Sequence, residues 1–289
     1  MENIKENIFE KGVLVQLAIS LWTGRTKLDP KIISEVADPE FLRASKYLIA
    51  RDYMKPLEQI RNKARDFVYR KTLPFPITGI LFIPRQMLLE VDEELTRQKN
   101  SFNEAVTDFI SQYKSYVEMA KDHLKGLWNQ DEYPQNIAGK FDFQWMFFNI
   151  DAPGKKSLIT PEIYDREVNK FQQTMLEFQE TAVATLRATF AEMVDHLVDR
   201  LDNDKVFRDS SVNHFKEFLE DFQKLDIVND TEIRELVDRC RELLSGTRPQ
   251  DLRDNELLKR HVSEKMGEIK NIIDTKVLTG RPFRKIMFD

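Results

Sequence analysis

The chain has a single cysteine, Cys240, so it carries no internal disulfide. That residue falls on an apolar helical face with no sign of activation, which fits a packed thiol in a reducing compartment. Glycine is scarce, at 9 of 289 residues, and this argues against a β-sandwich or a glycine-rich nucleotide fold. Neither Gly-x-x-x-x-Gly-Lys nor Gly-x-Gly-x-x-Gly occurs. No serine, threonine or cysteine sits in a recognisable nucleophile elbow. Long apolar runs are missing as well. The best stretch, 13–22, is broken by Gln16 and Ser20 and falls short of the ~20 residues a spanning helix needs. The first ten residues are polar, so no secretory signal is expected. These absences predict a soluble, cytoplasmic, non-enzymatic protein with no cofactor and no bound metal.

What the chain has is charge. Asp, Glu, Lys and Arg make up 32% of it, against a usual ~25%. The net charge of −5 is uneven. Residues 1–75 hold 14 basic and 10 acidic side chains, whereas 161–275 hold 17 and 26. The last fourteen residues are basic again, with 4 against 1. An acidic back half argues against a general nucleic-acid binder, which needs a basic face. The basic ends leave open contact with an acidic partner or a phosphate.

Two apolar stripes at spacings of three and four dominate the pattern. One runs over 84–128 through Leu88, Val91, Leu95, Phe102, Val106, Phe109, Tyr113, Val117, Ala120, Leu124 and Leu127, with a gap at Gln98. The other runs over 161–201 through Tyr164, Val168, Phe171, Met175, Phe178, Ala182, Leu186, Phe190, Met193, Leu197 and Leu201. Each predicts a long amphipathic helix that needs a partner for its seam. The two stripes are offered to each other, or to a copy in an oligomer. Segments 13–22 and 141–150 alternate like strands, and 77–83 reads as a further short strand. A helix is predicted over 41–70, kinked or split at Pro56. Three shorter helices follow in the back third.

The fold expected is therefore α+β and mostly helical. It has a long, coiled-coil-like antiparallel helical hairpin, a small mainly antiparallel sheet and a C-terminal helical bundle. The organisation reads as an N-terminal strand-helix-strand region over 1–83. A hairpin with an inserted aromatic strand at 139–150 occupies 84–205, and C-terminal helices with a basic-aromatic tail occupy 206–289.

Four histidines, His123, His196, His214 and His261, do not pair at metal-ligand spacing, apart from Glu192 with His196, which has no companion pair. Three short elements couple glycine to arginine: Thr23-Gly24-Arg25, Ser245-Gly246-Thr247-Arg248 and Thr279-Gly280-Arg281. Backbone amides beside an arginine can hold an anion, although helix stops and turns look the same. The aromatic strand presents Phe141, Phe143, Trp145 and Phe147 on one side. It reads either as part of a buried sheet or as an exposed docking patch. The tail, with Arg281 and Phe283, reads either as a docking segment or as a last strand.

The run Ile19-Ser20-Leu21-Trp22-Thr23-Gly24-Arg25, then Leu73-Pro74-Phe75-Pro76 leading into Phe82-Ile83-Pro84, then Phe109 and Tyr113, resembles a family of bacterial and phage proteins of unknown function. Its members carry a Ser-x-Trp-x-Gly-Arg-type element near the N-terminus. The resemblance covers mainly residues 13–128 and brings no catalytic residues with it. It implies a context, because genes of that family are often found near MoxR-type AAA+ ATPases and von Willebrand factor A-type proteins. The expectation is an adaptor or assembly component with a protein partner. Trp22, Arg25, Trp145, Phe147, Arg281 and Phe283 are its contact candidates. Two other readings stay open: a membrane-active helical protein, from the aromatic segment between long helices, and a phage nucleic-acid-associated protein, from the basic termini.

Overall fold

The computed structural model describes residues 8–152, 154, 160–202 and 209–273. The fold is α+β and mostly helical, with a small antiparallel sheet. Contacts divide the chain into two compact units. A helical unit takes Met1–Gln16, Val68–Val91 and Phe147–Asp289; an aromatic unit takes Leu17–Phe67 and Asp92–Met146.

Six strands are present among the described residues: β1 Gly12–Ser20, β2 Arg25–Lys27, β3 Ser45–Tyr47, β4 Leu73–Pro74, β5 Leu81–Pro84 and β6 Asp142–Phe148. Four form one sheet in the order β4-β5-β1-β6, and β2 pairs with β3 separately. All three expected strand segments contribute to the larger sheet. Strand β4, read from sequence only as a helix stop, supplies its edge, where proline is tolerated. The β1–β5 register runs from Gly12↔Pro84 to Val15↔Leu81. Gly12 is there because nothing larger fits: a Cβ would lie 2.1 Å from the Ile83 carbonyl oxygen.

The helices are α1 Pro30–Ile33, α2 Lys55–Arg70, α3 Leu88–Leu124, α4 Pro161–Asp202, α5 Asp209–Leu225, α6 Thr231–Leu243, α7 Pro249–Asp254 and α8 Glu256–Ile272. In the helical unit, α4 is the spine. Pro161 occupies its first position and the Ile163 amide donates to Thr160 Oγ1 at 3.4 Å, so cap and proline act as their types suggest. The α4 stripe is buried from Met175 to Leu201. Its covering comes from α5, α8 and β4. Phe178 lies 5.1 Å from Phe75 and 4.9 Å from Phe82, ring centre to ring centre, which joins helix to sheet. One turn of the seam differs from the expected stripe. Val194 is buried and Met193 is only half-buried, because the step of four from Phe190 keeps pace with 3.6 residues per turn.

In the aromatic unit, α2 starts at Lys55 rather than at 41. The residues before it form β3 and a 3-10 turn, Arg51–Met54. Apolar spacing explains the difference: Leu42, Leu48 and Tyr53 are five and six apart, and the helical step begins only at Tyr53. Pro56 therefore sits in the first turn, where its missing N–H costs nothing, and makes no kink. Helix α3 spans 37 residues, roughly 55 Å at 1.5 Å each. Residues 125–127 beyond it are 3-10, and Lys125 has a positive φ of 47°. The gap in its stripe is filled by Gln98, which is buried and donates its amide to Glu94 Oε1 at 2.6 Å.

Candidate functional site

The Ser20–Arg25 element has two faces with different jobs. Strand β1 ends at Ser20, and Trp22 turns inward to 8% exposure. Its ring meets Tyr113 edge-on at 5.6 Å and Phe109 at 6.4 Å. Phe109 also packs on Phe141 at 5.4 Å. Each such pair adds about 0.5–1.5 kcal/mol beyond area burial. Burial pushes the Tyr113 phenol up to about 12, with nearby Tyr133 adding to the effect. Trp22 is thus a core residue of the aromatic unit, and a docking partner would meet little of it. This corrects its expected role as a contact residue. The reason is geometric: α3 brings an apolar face within reach, and indole burial is worth more there than in water.

Gly24 follows with φ +58°, the left-handed region that glycine enters without strain. The turn it makes is closed by the Leu48 amide donating to the Gly24 carbonyl at 2.8 Å. It sends the chain into β2, where Arg25 pairs in register with Tyr47 of β3. The guanidinium of Arg25 lies over the Tyr47 ring at 5.0 Å and donates to Ser45 Oγ at 2.8 Å. Arg25 is therefore exposed yet held. Beside it opens a cavity of about 270 Å³, lined by Thr23, Gly24, Arg25, Tyr47, Arg51 and Glu58 among others. Arg51 was not singled out from sequence. It begins the 3-10 turn before α2 and is exposed, and its side chain makes no hydrogen bond among the described residues. Lys46 anchors the strand from the other side, through the Leu127 carbonyl and Glu132. Tyr133 donates its hydroxyl to the Leu48 carbonyl at 2.8 Å.

Between β2 and β3 the connector is hydrogen-bonded at its base and tip. Leu28 N donates to the Ala44 carbonyl at 3.0 Å. Asp29 caps α1 through the Lys31 amide at 2.9 Å, and Asp38 caps the next turn through the Glu40 amide at 2.9 Å. On this braced connector two large apolar side chains stand in solvent: Val36 is 83% exposed and Phe41 is 89% exposed. Sequence reasoning put Phe41 inside a helix and missed it. The signal available was the pair of Asp-Pro turns at 29–30 and 38–39, which bracket a surface excursion.

The other candidates are scattered. Trp145 and Phe147, on β6, are half-buried. Trp145 donates its indole N–H to Asp92 Oδ1 at 2.9 Å, abuts Phe143 edge-on, and has Lys99 over its ring at 5.5 Å. Phe143 is buried and Met146 exposed, so the aromatic strand is mainly a sheet component. Arg281 and Phe283 lie outside the described residues. Among the described residues, no group of three or more His, Cys, Asp or Glu is placed to hold a metal, and no helix is long and apolar enough to cross a membrane.

Fold and site together define an α+β, mostly helical protein with an arginine-lined surface cavity and an exposed apolar connector. Residues 9–260 match a family described as protein of unknown function (DUF3150), and the chain belongs to that family. No curated protein matches the chain, and no solved structure does.

Proposed function

We propose that this protein is a non-enzymatic adaptor or assembly component of a bacterial or phage system, docking a protein partner through the β2–β3 side of its aromatic unit. The observation that carries the reading is the exposure of Val36 and Phe41 on a hydrogen-bonded connector. Large apolar groups left in water on a braced segment are characteristic of interaction surfaces. Exposed Leu42 and Tyr47 lie on the same stretch. The family resemblance supplies the partner class, a MoxR-type AAA+ ATPase or a von Willebrand factor A-type protein, in the cytoplasm.

The test is a tagged capture from native host lysate, with and without ATP, read by mass spectrometry. Stoichiometric recovery of such an ATPase or von Willebrand-type protein is expected, and its loss in a Val36→Ser/Phe41→Ser variant of unchanged thermal stability. Recovery of the protein alone, or equal recovery by that variant, overturns the reading.

A further inference from the structure

Within the aromatic unit, the cavity beside Gly24 combines features that select a ligand charge. Two arginines, Arg25 and Arg51, line it together with the exposed Thr23. Arg25 is oriented in advance by the Tyr47 ring and Ser45 Oγ. That leaves most of its five donors unused, and little side-chain entropy remains to be lost on binding. Among the described residues, the Arg51 side chain makes no hydrogen bond. The planar fork of a guanidinium matches the two oxygens of a carboxylate or phosphate.

One acidic side chain, Glu58, also lines the cavity. It sets a limit on the charge that can enter. A doubly charged phosphate would face this carboxylate with only two arginines to offset three negative charges. A single carboxylate gives two against two. Glu58 can also accept an N–H from the chain that carries the ligand. The apolar side chains of Ile49 and Met54 complete the lining, which suits the methylene stem of a glutamate or aspartate.

We infer that this cavity receives an acidic side chain from a peptide segment of a protein partner, its carboxylate held between Arg25 and Arg51 and its backbone N–H accepted by Glu58. This deepens the docking reading above and rests on it. Val36 and Phe41 supply apolar area on the connector, and the cavity at the connector's base supplies charge selection. Electrostatic groups at such a site set specificity more than affinity.

The experiment is a calorimetric titration of the full chain at low salt with an end-blocked hexaglutamate peptide, with hexaglutamine, and with inorganic phosphate. Hexaglutamate is expected to bind detectably and hexaglutamine not. Arg51→Gln is expected to weaken hexaglutamate binding about tenfold or more, the loss of one charged hydrogen-bonding partner, without altering thermal unfolding. Arg25→Gln is expected to act likewise, with its stability checked because it loses Ser45 and Tyr47 contacts. Glu58→Gln is expected to raise the affinity for phosphate relative to the peptide. Equal binding of both peptides, absence of peptide binding, or an unaltered affinity in Arg51→Gln overturns the inference. Phosphate binding more tightly than hexaglutamate to the unaltered chain overturns it too, in favour of a free-anion site. If the peptide arms fail while partner capture still depends on Val36 and Phe41, only the carboxylate inference falls.

Discussion

Lys71 and Asp221, 150 residues apart in the chain, form an ion pair in the interior of the helical unit. Both are nearly inaccessible to water. The Lys71 ammonium also reaches Glu90 at 2.9 Å and Glu217 at 3.4 Å. It thus joins the turn after α2 to the start of α3 and to α5. A buried pair of this kind contributes modestly while intact, but breaking it strands a charge.

Replacing Lys71 by Met is therefore expected to cost about 3–5 kcal/mol, because Asp221 loses its main partner. Asp221→Leu added to Lys71→Met is expected to recover much of that loss. Urea unfolding of the single and double variants checks this; a double variant no more stable than the single one would argue against the pair as the source of the penalty.

Alkaline pH should weaken the fold. Burial alone would push the Lys71 ammonium down, but its bonds to Asp221 and Glu90 outweigh that and hold it above the usual lysine range. Tyr113 is pushed up to about 12 by burial. Both groups bind their proton more tightly folded than unfolded, so their contribution is complete below pH ~10 and is lost as pH rises through the folded values. Denaturant midpoints should hold steady up to about pH 9.5 and fall above it, and Tyr113→Phe should lessen the fall.

Gly12→Ala is expected to displace the β1–β5 pairing, since its new methyl would fall 2.1 Å from the Ile83 carbonyl oxygen and 2.5 Å from the Phe82 ring. A loss of roughly 2 kcal/mol or more follows, from overpacking at backbone that has nowhere to go. Gly139→Ala, whose added carbon would meet nothing closer than 3.8 Å, is the matched control and should be almost neutral. Comparable losses for the two would remove the steric explanation.

Trp22→Ala is expected to cost about 3–5 kcal/mol of stability, as deletion of a buried aromatic does. Arg25→Gln should cost far less, because its contacts are at the surface. The comparison separates two residues that sequence alone placed in one contact role.

Cys240 is buried against the Met266 sulfur at 3.7 Å, and burial pushes its thiol up to about 12. A disulfide reagent at pH 8 is expected to leave it unmodified in the native protein and to titrate it fully after denaturation. Rapid native labelling would mean that this part of the core opens readily.

Local pattern in the sequence was enough to determine the helical stripes, the three main strand segments and the inert burial of Cys240. Periodicities of two and 3.6 are written in neighbouring residues and need no distant information. The same reasoning located Arg25 through its glycine neighbour, since a left-handed turn demands that residue type. Which surfaces meet was decided by tertiary structure alone. The α4 stripe could have taken any apolar face as its cover, and α5, α8 and β4 provide it. Trp22 carried the same letters whether it faced a partner or the core; only the arrival of Phe109 and Tyr113 buried it. Arg51 became a neighbour of Arg25 because β2 and β3 pair across a seventeen-residue connector whose register no local signal contains. Hydrophobic burial is strong but non-directional, so sequence specifies how much must be covered, and the folded chain chooses what covers it.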